Sequence, residues 1–409
     1  MRTVITFLMP LSLFMTGYLF KIRVSTKVLF FYILIAISSF VGLLLGSIDF
    51  ANSFLFCWLV MPLLLLQFGR INKSIPKIKW EDFIDSLVKV IGIVDFVGII
   101  CLIVFQTPDE YGRGYGAHFK GVSGLAVVNA MLSYYYLSKF LCKKYRRKDI
   151  LLFLMLFVST VLCFSALTLI TYMITLLCYF LLYINLRRLI SFIPFILLAS
   201  VLLISSGLNI YEYNKRNLEL MLDSDIWENN ARKIMMYIKA VSLNEESPFL
   251  ISICGCGPAG YNSRTCFLIN EDSNNLFTDL LGHHMPYYHA RDIYPLWNKS
   301  FVSVDAFTDG ARNKPFSSLV SIWIELGLVF LITFCWLWIK NIREYGKKAS
   351  ADSDYIFLFL LNVFVFLLLF TEYWLESSEY LLFLILQGSV LNKKNAQGKR
   401  LVKIQNTLL

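Results

Sequence analysis

The stretch Asp354-YIFLFLLNVFVFLLLF-Thr371 carries a charge only at its first position. A helix of this length rises about 27 Å, close to the roughly 30 Å of hydrocarbon in a bilayer. Similar apolar runs recur along the 409 residues, which are 57% hydrophobic and 16% charged with a mean hydropathy of +0.63. These values exclude a soluble domain, and the runs lack the alternating polarity of barrel strands. The sequence therefore predicts an all-α polytopic membrane protein.

We predict about 11 transmembrane helices, within a range of 10–12, and one large, partly helical outer loop. The predicted spans are 3–20, 28–46, 51–68, 86–105, 121–141, 150–166, 168–185, 189–206, 317–339, 354–371 and 376–391. Residues 1–206 then hold helices 1–8, 207–316 form the loop, and 317–409 hold helices 9–11 and a tail. The first run is followed by basic residues and lacks a small-residue cleavage site, so we do not interpret it as a cleaved signal peptide.

Basic residues gather in alternate short loops, and this asymmetry sets the predicted orientation. The clusters include Lys21–Lys27, Arg70–Lys79, Lys143–Lys148, Lys340–Lys348 and Lys393–Lys403. The positive-inside rule places them in the cytoplasm, so the long loop faces outward. The net charge of +10 reflects these clusters, and inside the long loop acidic residues slightly outnumber basic ones. No nucleic-acid role is therefore expected.

Several polar residues inside or beside the spans have two interpretations each. Asp95 is a candidate for either helix packing or a site within the membrane, whereas Lys89 lies near enough to the cytoplasmic end to snorkel. Cys254, Cys256 and Cys266 lie in the outer loop, where a disulfide to Cys266 is open to either partner. Their spacing fits no common zinc pattern, and we expect no metal.

The candidate functional residues lie in the two outer loops. Arg113 stands among glycines in Gln106–Lys120, where a guanidinium suits bidentate phosphate contact. From Trp227 onward, apolar residues at helical spacing indicate a helix lying either on the membrane surface or on the rest of the outer loop. Gly255–Tyr261 is a turn-forming stretch without the features of a nucleotide loop. The segment Asp279–Arg291 then brings together His283, His284, His289 and Arg291 with the aromatic residues Tyr287 and Tyr288.

The order of these motifs resembles a known family. The chain carries R-x-x-G (Arg113, Gly116), an arginine opening an outer helix (Arg232) and a Pro-then-G-x-G-P-x-G turn (Pro248 to Gly260). E-x-G (Glu325, Gly327) follows on the return to the membrane, and T-E-Y-W-L-E (Thr371 to Glu376) precedes the last span. This order is similar to the bacterial O-antigen polymerase (Wzy-type) and O-antigen ligase superfamily. No single motif is specific to the family; their order around one large outer loop is.

The resemblance implies a glycosyltransferase at the periplasmic face of the bacterial inner membrane. Its substrates would be oligosaccharides linked to undecaprenyl diphosphate, with membrane lipids and a chain-length regulator protein as further partners and no cofactor. Transfer from a glycosyl diphosphate needs cations for the leaving group and a base for the acceptor hydroxyl. Arg113 and Arg232 are the catalytic cations expected. His289 is the first candidate for the base because it follows two tyrosines and precedes Arg291, and another histidine of the outer loops or an outer carboxylate is the alternative. The substrate-binding candidates are Arg264, Arg291, His283, His284 and Glu325.

Two departures favour a polymerase over a ligase. Ligases typically carry a His-Asn pair about nine residues before the glutamate, where this chain has Phe316 and Ser317. A Ser-Arg pair common at the start of a middle span is Ser165-Ala166 here. The alternatives that stay open are an O-antigen ligase, a capsule or exopolysaccharide polymerase, and a transporter or flippase. The last is disfavoured because no internal repeat is seen and one outer loop is outsized.

Overall fold

The computed structural model describes residues 22–71, 80–105, 121–163, 165–183, 232–270, 284–297, 315–349 and 352–408, together with residues 11 and 111. This part of the chain is almost entirely helical. The α-helices are α1 (Thr26–Leu44), α2 (Phe50–Phe68), α3 (Trp80–Phe105), α4 (Gly121–Leu141), α5 (Arg147–Leu162), α6 (Ala166–Tyr183), α7 (Arg232–Glu246), α8 (Phe249–Cys254), α9 (Arg264–Asn270), α10 (Tyr294–Trp297), α11 (Ser318–Leu326), α12 (Leu328–Lys348), α13 (Ser353–Thr371) and α14 (Ser378–Leu408). A π-helix covers His289–Ile293, a 3₁₀ helix covers Trp374–Glu376, and β1 (Ile22–Arg23) pairs with β2 (Arg70–Ile71).

Four of the described helices are long and apolar enough to cross a membrane. They are Thr26–Leu44, Phe50–Phe68, Asp82–Phe105 and Ser353–Thr371, and Leu167–Tyr183 is a shorter apolar helix. Large apolar side chains on α3, such as Ile93 and Val104, are exposed. Exposed apolar surface along such helices is typical of contact with lipid. The chain is therefore an all-α membrane protein, as the sequence predicts.

The boundaries of several elements differ from the prediction. The span predicted at 317–339 is two helices, α11 and α12, because Gly327 breaks it with a φ of +87°. The last predicted span, 376–391, is a 3₁₀ turn followed by a helix that continues to Leu408. The spans predicted at 150–166 and 168–185 correspond to α5 and α6, and beside the junction of these helices the hydroxyls of Ser165 and Thr168 lie 2.8 Å apart. The predicted spans 3–20 and 189–206 lie outside the described residues.

The chain divides into two compact units. Unit 1 consists of Met1–Arg70, Lys215–Leu337 and Leu369–Ser377; unit 2 consists of Ile71–Asn214, Trp338–Leu368 and Ser378–Leu409. Each unit draws on parts of the chain that are distant in the sequence.

Unit 1 is built around the hairpin of α1 and α2. The hydroxyl of Ser25 accepts from the N–H of Val28 at the start of α1 and donates to the carbonyl of Phe68 at the end of α2, so one side chain joins both ends. A second apolar core of unit 1 lies where α7, α8, α9 and α11 meet. Its buried members are Met236, Ala240, Leu243, Ile251, Cys256, Tyr261, Phe267, Ile293, Phe316, Val320 and Ile324.

Unit 2 packs α4 against α5 and α6 through aromatic side chains. The rings of Tyr134 and Tyr172 stack with centroids 4.6 Å apart, and both meet Phe364 edge-on. Asp95 is buried in this unit, where its Oδ1 accepts from the amide of Asn129 (2.9 Å) and the hydroxyl of Tyr111 (3.3 Å). Of the two interpretations of Asp95, this geometry favours helix packing.

Candidate functional site: two buried glutamates and a glycine turn

Glu325, near the end of α11, is fully buried and is surrounded by backbone N–H donors. Its Oε2 accepts from Ala259 (2.8 Å), and its Oε1 accepts from Tyr261 (3.1 Å), Asn262 (2.7 Å) and Ser263 (2.7 Å). A carboxylate only accepts hydrogen bonds, so it satisfies all four donors of the turn at once. The turn is wound around this side chain, and Glu325 therefore holds the glycine-rich turn rather than presenting oxygens to a ligand.

The backbone of the same two segments is also paired. The N–H of Cys256 donates to the carbonyl of Ile324 (2.8 Å), and that of Gly257 to the carbonyl of Glu325 (3.1 Å). Gly255 and Gly327 both have φ +87° and ψ 166°, a conformation open essentially to glycine alone. A Cβ at Gly255 would overlap the Glu325 carbonyl, and one at Gly327 would overlap the Ile253 carbonyl. These two glycines therefore allow α8 and α11 to end against each other.

A second buried glutamate, Glu376, holds the start of α9. Its carboxylate accepts from the backbone N–H groups of Arg264 (3.2 Å) and Thr265 (2.8 Å), and from the Thr265 hydroxyl. The guanidinium of Arg264 donates to the main-chain carbonyl of Glu376 (2.6 Å). Arg264, a substrate-binding candidate from the sequence, thus uses its guanidinium to fasten α9 to the 3₁₀ helix.

His289 lies in the core of unit 1 and is not exposed. Its Nδ1 is 2.6 Å from the carbonyl of Tyr261, and its ring meets Phe267 edge-on with centroids 5.3 Å apart. Because a carbonyl only accepts, Nδ1 carries the proton in this contact. A base must be reached by the hydroxyl that it deprotonates, so catalysis by His289 would require this core to open.

His284 differs from His289 in its surroundings. Its side chain is exposed, and its backbone N–H donates to Oδ2 of Asp49 at 2.7 Å. The next contact along the chain runs from the N–H of Tyr287 to the carbonyl of Ser47 (3.3 Å). Residues 284–288 are thus fixed on the turn between α1 and α2, and this fixes an accessible imidazole there.

Arg291 forms a bidentate ion pair with the residue that follows it. Its Nε and Nη2 each lie 2.8 Å from an oxygen of the buried Asp292, and its guanidinium lies 5.5 Å from the ring centre of Tyr288. The hydrogen bonds to Asp292 raise the pKa of Arg291 above its usual range. Burial raises the pKa of Tyr288. Arg291 is half-exposed, so the side of its guanidinium turned away from Asp292 keeps donors for a ligand.

Lys233, near the start of α7, makes a polar contact that the sequence does not reveal. Its ammonium donates to the carbonyl of Thr371, the last residue of α13. Desolvation lowers its pKa, and the nearby Glu372 acts in the opposite direction. Tyr237, one helical turn further along α7, donates to the carbonyl of Phe370 and to Ser317. The cation of Lys233 therefore lies at the C-terminus of α13.

The remaining candidates are placed as follows. Arg113, His118 and His283 lie outside the described residues, and Arg232 begins α7 with its side chain outside the described part. The cysteines considered for a disulfide, Cys254, Cys256 and Cys266, are free thiols. Burial raises the pKa of Cys256 and of Cys266 well above the usual range.

No family model, no curated protein and no solved structure matches this chain. Its function is therefore argued from its own residues.

Proposed function

We propose that this protein is an O-antigen polymerase that joins undecaprenyl-diphosphate-linked oligosaccharide repeats at the periplasmic face of the inner membrane. The proposal includes eleven spans, with the amino terminus and the loop 207–316 outside and the carboxyl terminus inside. The apolar helices support a membrane location. The basic clusters in alternate short loops support the orientation.

The observation that carries the proposal is the meeting of three sequence motifs in unit 1. The G-x-G-P-x-G turn (Gly255 to Gly260) is paired with E-x-G (Glu325 to Gly327) through side-chain and backbone bonds. T-E-Y-W-L-E (Thr371 to Glu376) is bonded to the helix that follows the turn. These are the motifs whose order suggests the polymerase and ligase superfamily. Their assembly into one unit supports treating them as parts of one site.

The reaction requires a group that takes a proton and cations that stabilise the leaving diphosphate. A bond forms between an acceptor hydroxyl oxygen and the anomeric carbon of the donor sugar, while the bond from that carbon to the diphosphate oxygen breaks. In our proposal Arg113 and Arg232 stabilise the diphosphate, and Arg291 with Tyr287 and Tyr288 binds sugar. Because His289 is enclosed, we assign the base to one of the outer histidines, with the exposed His284 as first candidate.

The ligase alternative is less well supported at one position. Ligases typically carry a histidine where this chain has Phe316, and Phe316 is buried against Phe267 and Tyr373 with ring centroids 4.1 Å and 4.3 Å away. The next residue, Ser317, caps the start of α11 by accepting from the N–H of Val320. An aromatic core therefore occupies the place of the expected ligase histidine.

The experiment is complementation of a deletion strain, with the surface glycan resolved by chain length. Loss of a polymerase leaves a single repeat on the lipid core, whereas loss of a ligase leaves long polymer on the carrier lipid. We expect the first result. We expect the Ala variants of Arg113 and Arg232 to fail at wild-type protein levels and the Lys variants to restore polymer poorly, since an ammonium lacks the bidentate fork. Reporter fusions at Ser263 and Lys348 should report opposite sides of the membrane.

A further inference from the structure

Helix α7 has two apolar faces. Met236, Ala240 and Leu243 point into the core of unit 1 and are buried. Ile238 and Val241, three residues apart on another face, are 50% and 46% exposed. A helix on the surface of a soluble domain would carry polar residues on that second face. Two exposed apolar side chains therefore lie on the outer face of α7, and the exposed Glu245 follows them one turn after Val241.

Helix α8, the next helix along the chain, also exposes apolar side chains. Its first two residues, Phe249 and Leu250, are 80% and 49% exposed. The hydroxyl of Ser252 donates to the carbonyl of Asn244 at 3.1 Å, which ties α8 to the end of α7. The two helices form a hairpin, and four large apolar side chains are exposed on it.

The hairpin is anchored beside the ends of apolar helices. Ser47, just after α1, donates from its hydroxyl to the carbonyl of Cys256 at 2.6 Å, immediately beyond the end of α8. The carbonyl of Ile253 lies against Gly327, from which α12 starts. Exposed apolar residues continue from these points along both helices, as at Leu44 of α1 and Ile332 of α12. The exposed apolar residues of the hairpin thus lie next to the ends of α1 and α12 whose exposed apolar side chains face lipid.

We propose that the α7–α8 hairpin is inserted into the interfacial region of the bilayer, with Phe249 and Leu250 as its anchor. The occupant of the exposed face is lipid, since the face adjoins helices that already contact lipid. Phe249 lies five residues from the end of α8, about 8 Å along its axis, a distance comparable to the depth at which interfacial helices are buried. The insertion stands independently of the enzymatic proposal.

If the protein has the function proposed above, insertion of the hairpin also affects the site. The turn Gly255–Tyr261 comes directly after α8, so an inserted hairpin holds this turn at headgroup level. The diphosphate of a lipid-linked sugar lies at the same level, because its polyprenyl chain is in the hydrocarbon. The hairpin would then set the height of the site over the membrane.

The test uses fluorine NMR on the full-length protein in lipid nanodiscs. Phe249 is replaced by para-fluorophenylalanine, a nearly isosteric change. Matched proteins carry the same label at Phe40, which is exposed on α1, or at Phe357, which is buried in unit 2. Each resonance is recorded with lipids spin-labelled near the acyl carbonyl and, separately, with a water-soluble gadolinium chelate.

We expect the Phe249 resonance to be lost with the spin-labelled lipid, as for Phe40, and to persist with the chelate. Loss with the chelate alone would show that the side chain faces water and would overturn the proposal. If the Phe249 resonance responds to both probes as that of the buried Phe357 does, protein covers the side chain of Phe249. This result also overturns the proposal. If the Phe249 resonance shows insertion into lipid but the protein makes no polymer, the result counts against the enzymatic proposal alone.

Discussion

Replacing Glu325 by glutamine is expected to open the turn between Gly257 and Ser263. The carboxylate accepts four backbone N–H groups, three on Oε1 and one on Oε2. An amide can keep its oxygen toward the three donors, but its NH₂ then faces the N–H of Ala259. The N–H of Ala259 and the NH₂ that faces it then both lack an acceptor, at a cost of about 1–3 kcal/mol for a buried donor, and the other three bonds lose the strength that a charged acceptor gives.

Burying a neutral amide costs less than burying a charge, so part of this loss is recovered. We expect a net cost of about 2–4 kcal/mol in the free energy of opening the turn. Cys256 and Cys266 are buried next to this turn and report its opening when a maleimide alkylates them. Alkylation that depends on opening should accelerate by roughly 30- to 700-fold. The rate at each cysteine is read by mass spectrometry in detergent at constant pH.

The matched control is Glu344→Gln on α12, where the carboxylate is exposed. It should alkylate at the wild-type rate. If Glu325→Gln also alkylates Cys256 at the wild-type rate, the carboxylate does not hold the turn, and our account of the E-x-G motif is wrong.

Three further predictions follow from single residues of the described structure. Gly327→Ala should prevent stable folding, because at φ +87° the new Cβ would overlap the carbonyl of Ile253. The control Gly388→Ala has open space around its Cβ and should express normally. Fluorescence size-exclusion chromatography compares the two variants. His289→Ala should lower the melting temperature, whereas His284→Ala should abolish polymer at an unchanged melting temperature. The pKa of Lys233 is lowered in the folded protein, so the unfolded state binds more protons above that pKa. The melting temperature of the wild-type protein should therefore rise as the pH approaches the ordinary pKa of lysine. Melting curves between about pH 7 and 10 should show a smaller rise for Lys233→Met.

The sequence predicts the apolar helices well, because length and hydropathy alone decide whether a segment suits a bilayer. The span predicted at 354–371 is the helix Ser353–Thr371, and the one predicted at 51–68 is the helix Phe50–Phe68. The break at Gly327 is not visible in hydropathy, since both sides of it are apolar. It depends on a backbone partner at Ile253, which is distant in the sequence.

The roles of individual polar residues could not be predicted in the same way. Glu325 and Arg264 are charged residues in suggestive motifs, and both are engaged by backbone groups of other segments. Lys233 belongs to a helix with an apolar face, but its ammonium reaches the end of α13. Which neighbour a long polar side chain meets is set by tertiary packing, and the spacing of residues along one segment does not contain that information.

The central claim is most directly tested by reconstitution of the purified protein in nanodiscs with a synthetic lipid-linked repeat as its sole substrate. We expect a ladder of products, each longer by one repeat and each attached to the carrier diphosphate, and we expect Arg113→Ala protein to leave the substrate unchanged. If no ladder forms and the glycan is transferred only after lipid A core is added, the protein is a ligase and the claim is contradicted.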